Sequence, residues 1–189
     1  MSRHLLVCVS YLFFCFIEVA SPAQTIDPDS LAQAYFQVDS SEQNKVLHKL
    51  KDNPQQVIAV AKEIVSQASK RGVPDTLIEV YYGLANAYYE VGYYDSADQT
   101  INRALAIFRQ YPEKQLQQAD LLNLAGVVYD LQGRYDEAIK RYHEALAIWE
   151  EQESLEGQSR AYLNIGNIYS FQKEYYRAID HYEKSLEIS

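Results

Sequence analysis

The chain has 189 residues, 48% of them hydrophobic, and a formal net charge of −9. That apolar content excludes a disordered chain, and the acidic balance excludes a binder of phosphate backbones, so no nucleic-acid partner is expected. With only 7 Gly and 5 Pro, helices joined by short turns are favoured over a turn-rich sheet protein, in one domain or one short repeat array.

The N-terminus carries Arg3 and His4, then an apolar run from Leu5 to Ile17, then Ser21-Pro22-Ala23 with small residues at its ends. A basic start, an apolar stretch of about 7–15 residues and a small-x-small site together describe a secretory signal peptide. Residues 1–23 are therefore expected to be removed ahead of Gln24. A membrane span would need about 20 apolar residues, and Glu18 interrupts this run. The expected location is outside the cytoplasm, periplasmic or secreted, with a membrane tether if the leader is retained or the chain continues. Cys8 and Cys15 both lie inside the leader, so a mature chain without cysteine is expected, which excludes thiolate metal sites and cysteine redox chemistry. Cleavage would remove Arg3 and Glu18, taking basic residues from 17 to 16 and acidic ones from 26 to 25, with the net charge unchanged at −9.

Residues 24–74 are expected to hold a degenerate helical hairpin. Val46, Leu47 and Leu50 give Ser40 to Lys51 a weak apolar side. Pro54 can open the next helix, because the first helical position tolerates its missing N–H. Val57, Val60, Ala61, Ile64, Val65 and Ala68 then form a stripe that ends at Gly72.

From Ile78 onward the sequence repeats itself, and such a period governs the fold. Three units align on their Tyr, Gly and Ala residues, at 78–118, 119–158 and 159–189. Each shows apolar spacings of three and four on both sides of a central break, which predicts two amphipathic helices. Thr76 and Glu79, three apart, are expected to form a capping box at the first of them. Gly92 and Gly133 occupy the break in the first two units, where glycine closes a helix in the left-handed conformation; Lys173 stands there in the third. Asp95, Asp136 and Glu137 suit the positive start of the following helices. Ala85, Gly126 and Gly166 share one position and Ala97, Ala138 and Ala178 another, so the two helices of each hairpin should approach closely. Tyr88, Tyr129, Tyr142, Tyr169 and Tyr182 are expected to fill the core beside them.

This pattern resembles the tetratricopeptide repeat family: a small residue, Tyr three later, Gly-x-Tyr at the turn, then Ala, an aromatic and another small residue. Ile101 replaces that aromatic in the first unit. The period near 40, against the usual 34, resembles the longer subclass of kinesin light chains and exported bacterial sensory proteins, with the extra residues lengthening helices around Tyr111-Pro112 and Glu151 to Glu156. The resemblance implies an all-α fold, an α-solenoid of stacked antiparallel helix hairpins in a right-handed superhelix. It implies a scaffold that binds an extended peptide or protein segment and is not an enzyme.

It also implies where such a peptide lies. The groove positions of the family fall on Glu79, Tyr82, Asn86, Tyr89 and Glu90 in the first unit. The second contributes Asp120, Asn123, Val127 and Asp130, and the third Arg160, Leu163, Asn167 and Ser170. Asn can donate to and accept from a peptide backbone at once, and aromatic rings offer large contact area at low entropic cost. Arg160 is the lone basic residue among them, so the clamp for a terminal carboxylate is missing.

Catalytic, cofactor and metal chemistry has no carrier here. His48, His143 and His181 show no metal-binding helix spacing and are expected to be solvated. No nucleophile elbow or phosphate-cradling glycine loop is present, and the paired acids sit in helix starts and linkers. The alternative to a free-standing scaffold is the N-terminal sensory region of a membrane signalling protein. At the C-terminus Ala178, Tyr182 and Leu186 are expected to face solvent, where another repeat would normally lie. Further chain, a second copy or a partner could cover that face.

Overall fold

The computed structural model describes residues 27–37, 53–71, 74–108, 111 and 115–188; the leader and the expected helix at Ser40 to Lys51 lie outside them. Among the described residues there are eight helices and no strands. The fold class is an all-α helical-repeat solenoid. The chain divides into two compact units, Met1–Tyr93 and Tyr94–Ser189, taken in turn.

The first unit holds α1 (Pro28–Tyr35), α2 (Pro54–Arg71) and α3 (Pro74–Glu90). Helix α1 was not expected from periodicity, since eight residues give barely two turns. Its cap makes it: Asp27 accepts from the Ser30 amide at 3.0 Å and its hydroxyl at 2.6 Å, and Pro28 takes the first position. These two hydrogen bonds hold the Asp27 carboxyl below the usual carboxylate range. Leu31, Ala32 and Tyr35 are buried, and α1 packs on α2. Along α2 the expected stripe is buried at Val57, Val60, Ala61, Ile64 and Ala68, while Val65 is half-buried. The capping box is corrected. Helix α3 begins at Pro74, so Thr76 lies inside the first turn; a proline with preset φ opens the helix two residues earlier.

The second unit holds α4 (Tyr94–Phe108), α5 (Gln115–Leu131), α6 (Tyr135–Glu151), α7 (Leu155–Phe171) and α8 (Tyr175–Glu187). Helices α5 and α6 form one hairpin, α7 and α8 the next, and α7 packs on α6. Helices α6 and α7 each run 17 residues, which is how the long linker at Glu151 to Glu156 is used. Helix α5 buries Leu121, Leu122, Asn123, Leu124, Ala125, Gly126, Val128 and Tyr129. It is covered on nearly every side because α4, α6 and α7 all pack against it.

Small residues set the spacing. A methyl group at Gly126 would collide with the Tyr142 ring, one at Gly166 with the Tyr182 ring, and one at Gly157 with the Trp149 ring. An aromatic side chain therefore lies directly on the backbone of the neighbouring helix in each pair. Tyr88, Tyr129 and Tyr142 are buried as expected, while Tyr169 and Tyr182 are half-buried. Ala178 is 2% exposed and packs inside its own hairpin, so the expected open face at the C-terminus is corrected at that residue. A polar lock joins α4 to the next hairpin. The Tyr129 hydroxyl donates to Asp98 at 2.7 Å, Arg134 lies 4.1 Å from the centre of the Tyr129 ring, and Gln132 donates to Asp95 at 2.9 Å.

Four helix ends close in the same way. At Gly92, Gly133, Glu153 and Lys173 the amide reaches back three residues, and the next amide reaches back five, as in Tyr93 to Tyr88 at 2.8 Å and Glu174 to Tyr169 at 2.8 Å. This double bond pattern needs a left-handed residue. The glycines supply it at φ of 78° and 74°, whereas Glu153 and Lys173 are forced to 54° and 64°. Lys173→Gly should therefore raise the urea midpoint. Relief of a left-handed backbone, worth about 1–2 kcal/mol, exceeds the extra unfolded-state entropy of glycine, so a net gain of about 0.5–1 kcal/mol is expected. A lower midpoint would refute the strain.

Candidate functional site

In the second unit the first helices of successive hairpins, α5 and α7, share one face. Asp120 on α5 meets Arg160 on α7 at 3.2 Å. Arg160 also lies 3.5 Å from Glu156, and its guanidinium centre sits 5.2 Å from the Trp149 ring. Burial pushes the Asp120 carboxyl above its usual range, with Arg160 opposing. One helical turn further, Asn123 is 9% exposed, and its Oδ1 accepts from Asn164 Nδ2 at 3.0 Å. Asn164 was missed from the sequence. The repeat register pairs Asn123 with Leu163, but the hydrogen bond joins it to the next residue, 41 positions on.

The rest of this face is mixed. Leu163 is 46% exposed, Val127 and Ser170 are half-buried, and burial raises the Asp130 carboxyl. Asn167 is exposed and accepts from the Tyr182 hydroxyl at 2.9 Å. The first unit holds the other expected positions on α3. Tyr82 and Glu90 are exposed, Glu79, Asn86 and Tyr89 half-buried, and Asn86 donates to Glu90 at 3.1 Å. The charge of Glu79 adds to burial in pushing the Tyr35 phenol up to about 12.

The structure thus brings Asp120 to Arg160 and Asn123 to α7, and it leaves Leu163 open. Arg160 is already held by two carboxylates and a ring, so the face presents acid and amide groups to an incoming chain. Among the described residues no group of three or more His, Cys, Asp or Glu could hold a metal ion, and no helix is long and apolar enough to cross a membrane.

The expectation of solvated histidines is corrected at His181. Its ring stacks on Tyr169 at 5.4 Å, with Tyr162 at 5.9 Å and His143 at 6.5 Å. Its Nδ1 is buried without a hydrogen-bond partner. Aromatic side chains from α7 reach over the ring, which periodicity on one helix cannot reveal. Burial, then the positive charge of Lys184, lower its pKa, with Asp180 opposing. A depressed folded value means that the unfolded chain binds the proton more readily, so stability is full above an ordinary histidine pKa of about 6.5 and falls as pH drops through it. Urea midpoints should decline between about pH 7 and 5, and His181→Phe should flatten that slope. An unchanged slope would place its cause elsewhere.

A model of the tetratricopeptide repeat matches residues 76–151 and 117–189, more than half of the chain. The chain belongs to the tetratricopeptide repeat family. No curated protein matches it significantly. Solved structures share the fold: BtubC from P. vanneervenii has a TM-score of 0.70 at 18% identity, covering 84% of this chain and 70% of that one. A Rap protein complexed with Competence and Sporulation Factor has a TM-score of 0.67 at 20% identity, over 86% and 43% of the two chains. A signal-transduction ATPase with a tetratricopeptide repeat sensor, from Pyrococcus horikoshii, has a TM-score of 0.72 at 17% identity, over 93% and 26%. The chain therefore spans 43% and 26% of the length of the last two. As a tetratricopeptide repeat protein it is a protein-binding scaffold.

Proposed function

We propose that this tetratricopeptide repeat protein holds an extended peptide along the face shared by α5 and α7, outside the cytoplasm. The observation that carries this reading is the pairing of Asp120 with Arg160 and of Asn123 with Asn164, which fixes a polar row beside the exposed Leu163. Rigid, pre-formed polar groups lower the entropic cost of binding a flexible segment. With Arg160 neutralised by Asp120 and Glu156, and Asp130 further along α5, the row suits a neutral or basic peptide better than an acidic one. The basic-apolar-small leader supports export.

An array of 12-residue peptides probed with the purified chain tests the site. Leu163→Asp should weaken every captured peptide at least tenfold, with circular dichroism unchanged because Leu163 is on the surface. Capture that survives both Leu163→Asp and Asn164→Ala would sink the assignment of this face.

A second reading, the sensory part of a longer signalling protein, is favoured by the likeness to a repeat array that forms the sensor of a signal-transduction ATPase. It uses the same face, and the two readings differ in what the bound peptide controls.

A further inference from the structure

A carboxylate taken partly out of water is costly unless a cation or a donor answers it, and the second unit answers all but one. Among its described residues the half-buried acids are Asp98, Asp120, Asp130 and Glu144. Asp98 accepts from the Tyr129 hydroxyl and lies 3.8 Å from Arg134. Asp120 pairs with Arg160 at 3.2 Å and Glu144 with Arg141 at 2.8 Å. The Asp130 carboxylate has neither cation nor donor: burial alone lifts its pKa, and no charge of the chain opposes the shift. Asp120, Asn123, Val127 and Asp130 step three, four and three along α5, so they share one stripe. Its first two members bond to α7. The register that gives Asp120 its Arg160, 40 residues on, gives Asp130 only the uncharged Ser170.

We infer that Asp130 is the anchor for a Lys or Arg side chain of the bound peptide, and that it makes this face select basic segments. Its role rests on the proposed reading of the α5–α7 face as a peptide site. A free cation in water gains little from one half-exposed carboxylate. A peptide already held at Asn123 and Leu163 delivers its cation locally, without a second association cost. Asp130 stands seven residues beyond Asn123, about 10 Å along the helix, which an extended peptide crosses in about three residues. The basic residue is therefore expected about three positions from the apolar one that meets Leu163.

The probe is a bead library of random 12-residue peptides, acetylated so that no terminal amine competes, with captured sequences read from the beads. The parent should enrich Lys and Arg at about that spacing from an apolar residue. Asp130→Asn should still capture peptides but bind the basic ones about fivefold more weakly, as loss of a hydrogen bond to a half-exposed charge predicts. Asp130→Lys should select Asp and Glu at the same place. Enrichment that Asp130→Asn leaves intact, while Leu163→Asp abolishes capture, overturns the anchor and spares the face. Capture indifferent to Leu163→Asp and Asn164→Ala removes the face, and the anchor with it. The free chain supplies a second readout: losing an unanswered carboxylate should leave the urea midpoint of Asp130→Asn at pH 7 equal to the parent's or higher. A lower midpoint would show that Asp130 serves the fold, and overturns the anchor.

Discussion

Trp149→Ala should cost the second unit about 3–5 kcal/mol, the range for emptying a large aromatic site in a packed core. Trp149 is 2% exposed, and its cluster gathers Ala119 and Leu122 from α5, Ala145 and Leu146 from α6 and Ala161 from α7, with Leu105 of α4 against it. Four helices therefore meet at one side chain, and Gly157 on α7 is small because the indole lies on its backbone. The surrounding alanines are too short to close the hole, so most of the cavity should persist. Urea unfolding followed by far-ultraviolet circular dichroism is the measurement, since Trp149 is the chain's one tryptophan and its fluorescence disappears with it. A loss below about 1 kcal/mol would mean that the helices collapse into the space. Trp149→Phe, which keeps a ring on Gly157, should lose less.

The repeat is what the sequence shows best. Spacings of three and four around Gly92 and Gly133 mark the helices, because a helix buries one stripe and a hairpin needs a left-handed turn. The parts that escaped are contacts between helices. Gly157 lies outside the Gly126 and Gly166 register, so nothing in one helix announces that Trp149 rests on it. His143 and His181 lie 38 residues apart, out of register, and meet only because side chains from neighbouring helices converge. Helix α1 depends on Asp27 and Pro28, a cap rather than a stripe. Ala178 was assigned to the wrong side because a small residue on an amphipathic helix serves its own hairpin as readily as a neighbour. Along the candidate face the residues came from the family pattern, but the pairing of Asn123 with Asn164 depends on how two helices are offset, which only coordinates show.

That distinction between a stripe and its surroundings yields a sharp contrast at two equivalent glycines. Alanine is the better helix former by about 1 kcal/mol, so Gly→Ala inside a helix should stabilise wherever a methyl group fits. At Gly126 it does not fit: Tyr142 lies against the backbone, is 1% exposed, and is hemmed in by Tyr129, Ala138, Ile165 and Ile168. Its ring cannot move without displacing α7, and overpacking of this kind costs about 1–3 kcal/mol. Gly126→Ala should therefore lose up to about 2 kcal/mol net. At Gly166 the colliding ring is Tyr182, and the Ala178 carbonyl oxygen would lie 3.3 Å from the new methyl group, a tight approach that a small shift can relieve; Tyr182 is half-buried on α8, where it can swing outward by giving up its hydrogen bond to Asn167. Gly166→Ala should stay within about 0.5 kcal/mol of the parent, since propensity and displacement nearly cancel. Matched urea titrations of the two variants measure the difference. Equal losses would mean that Tyr182 is held as firmly as Tyr142.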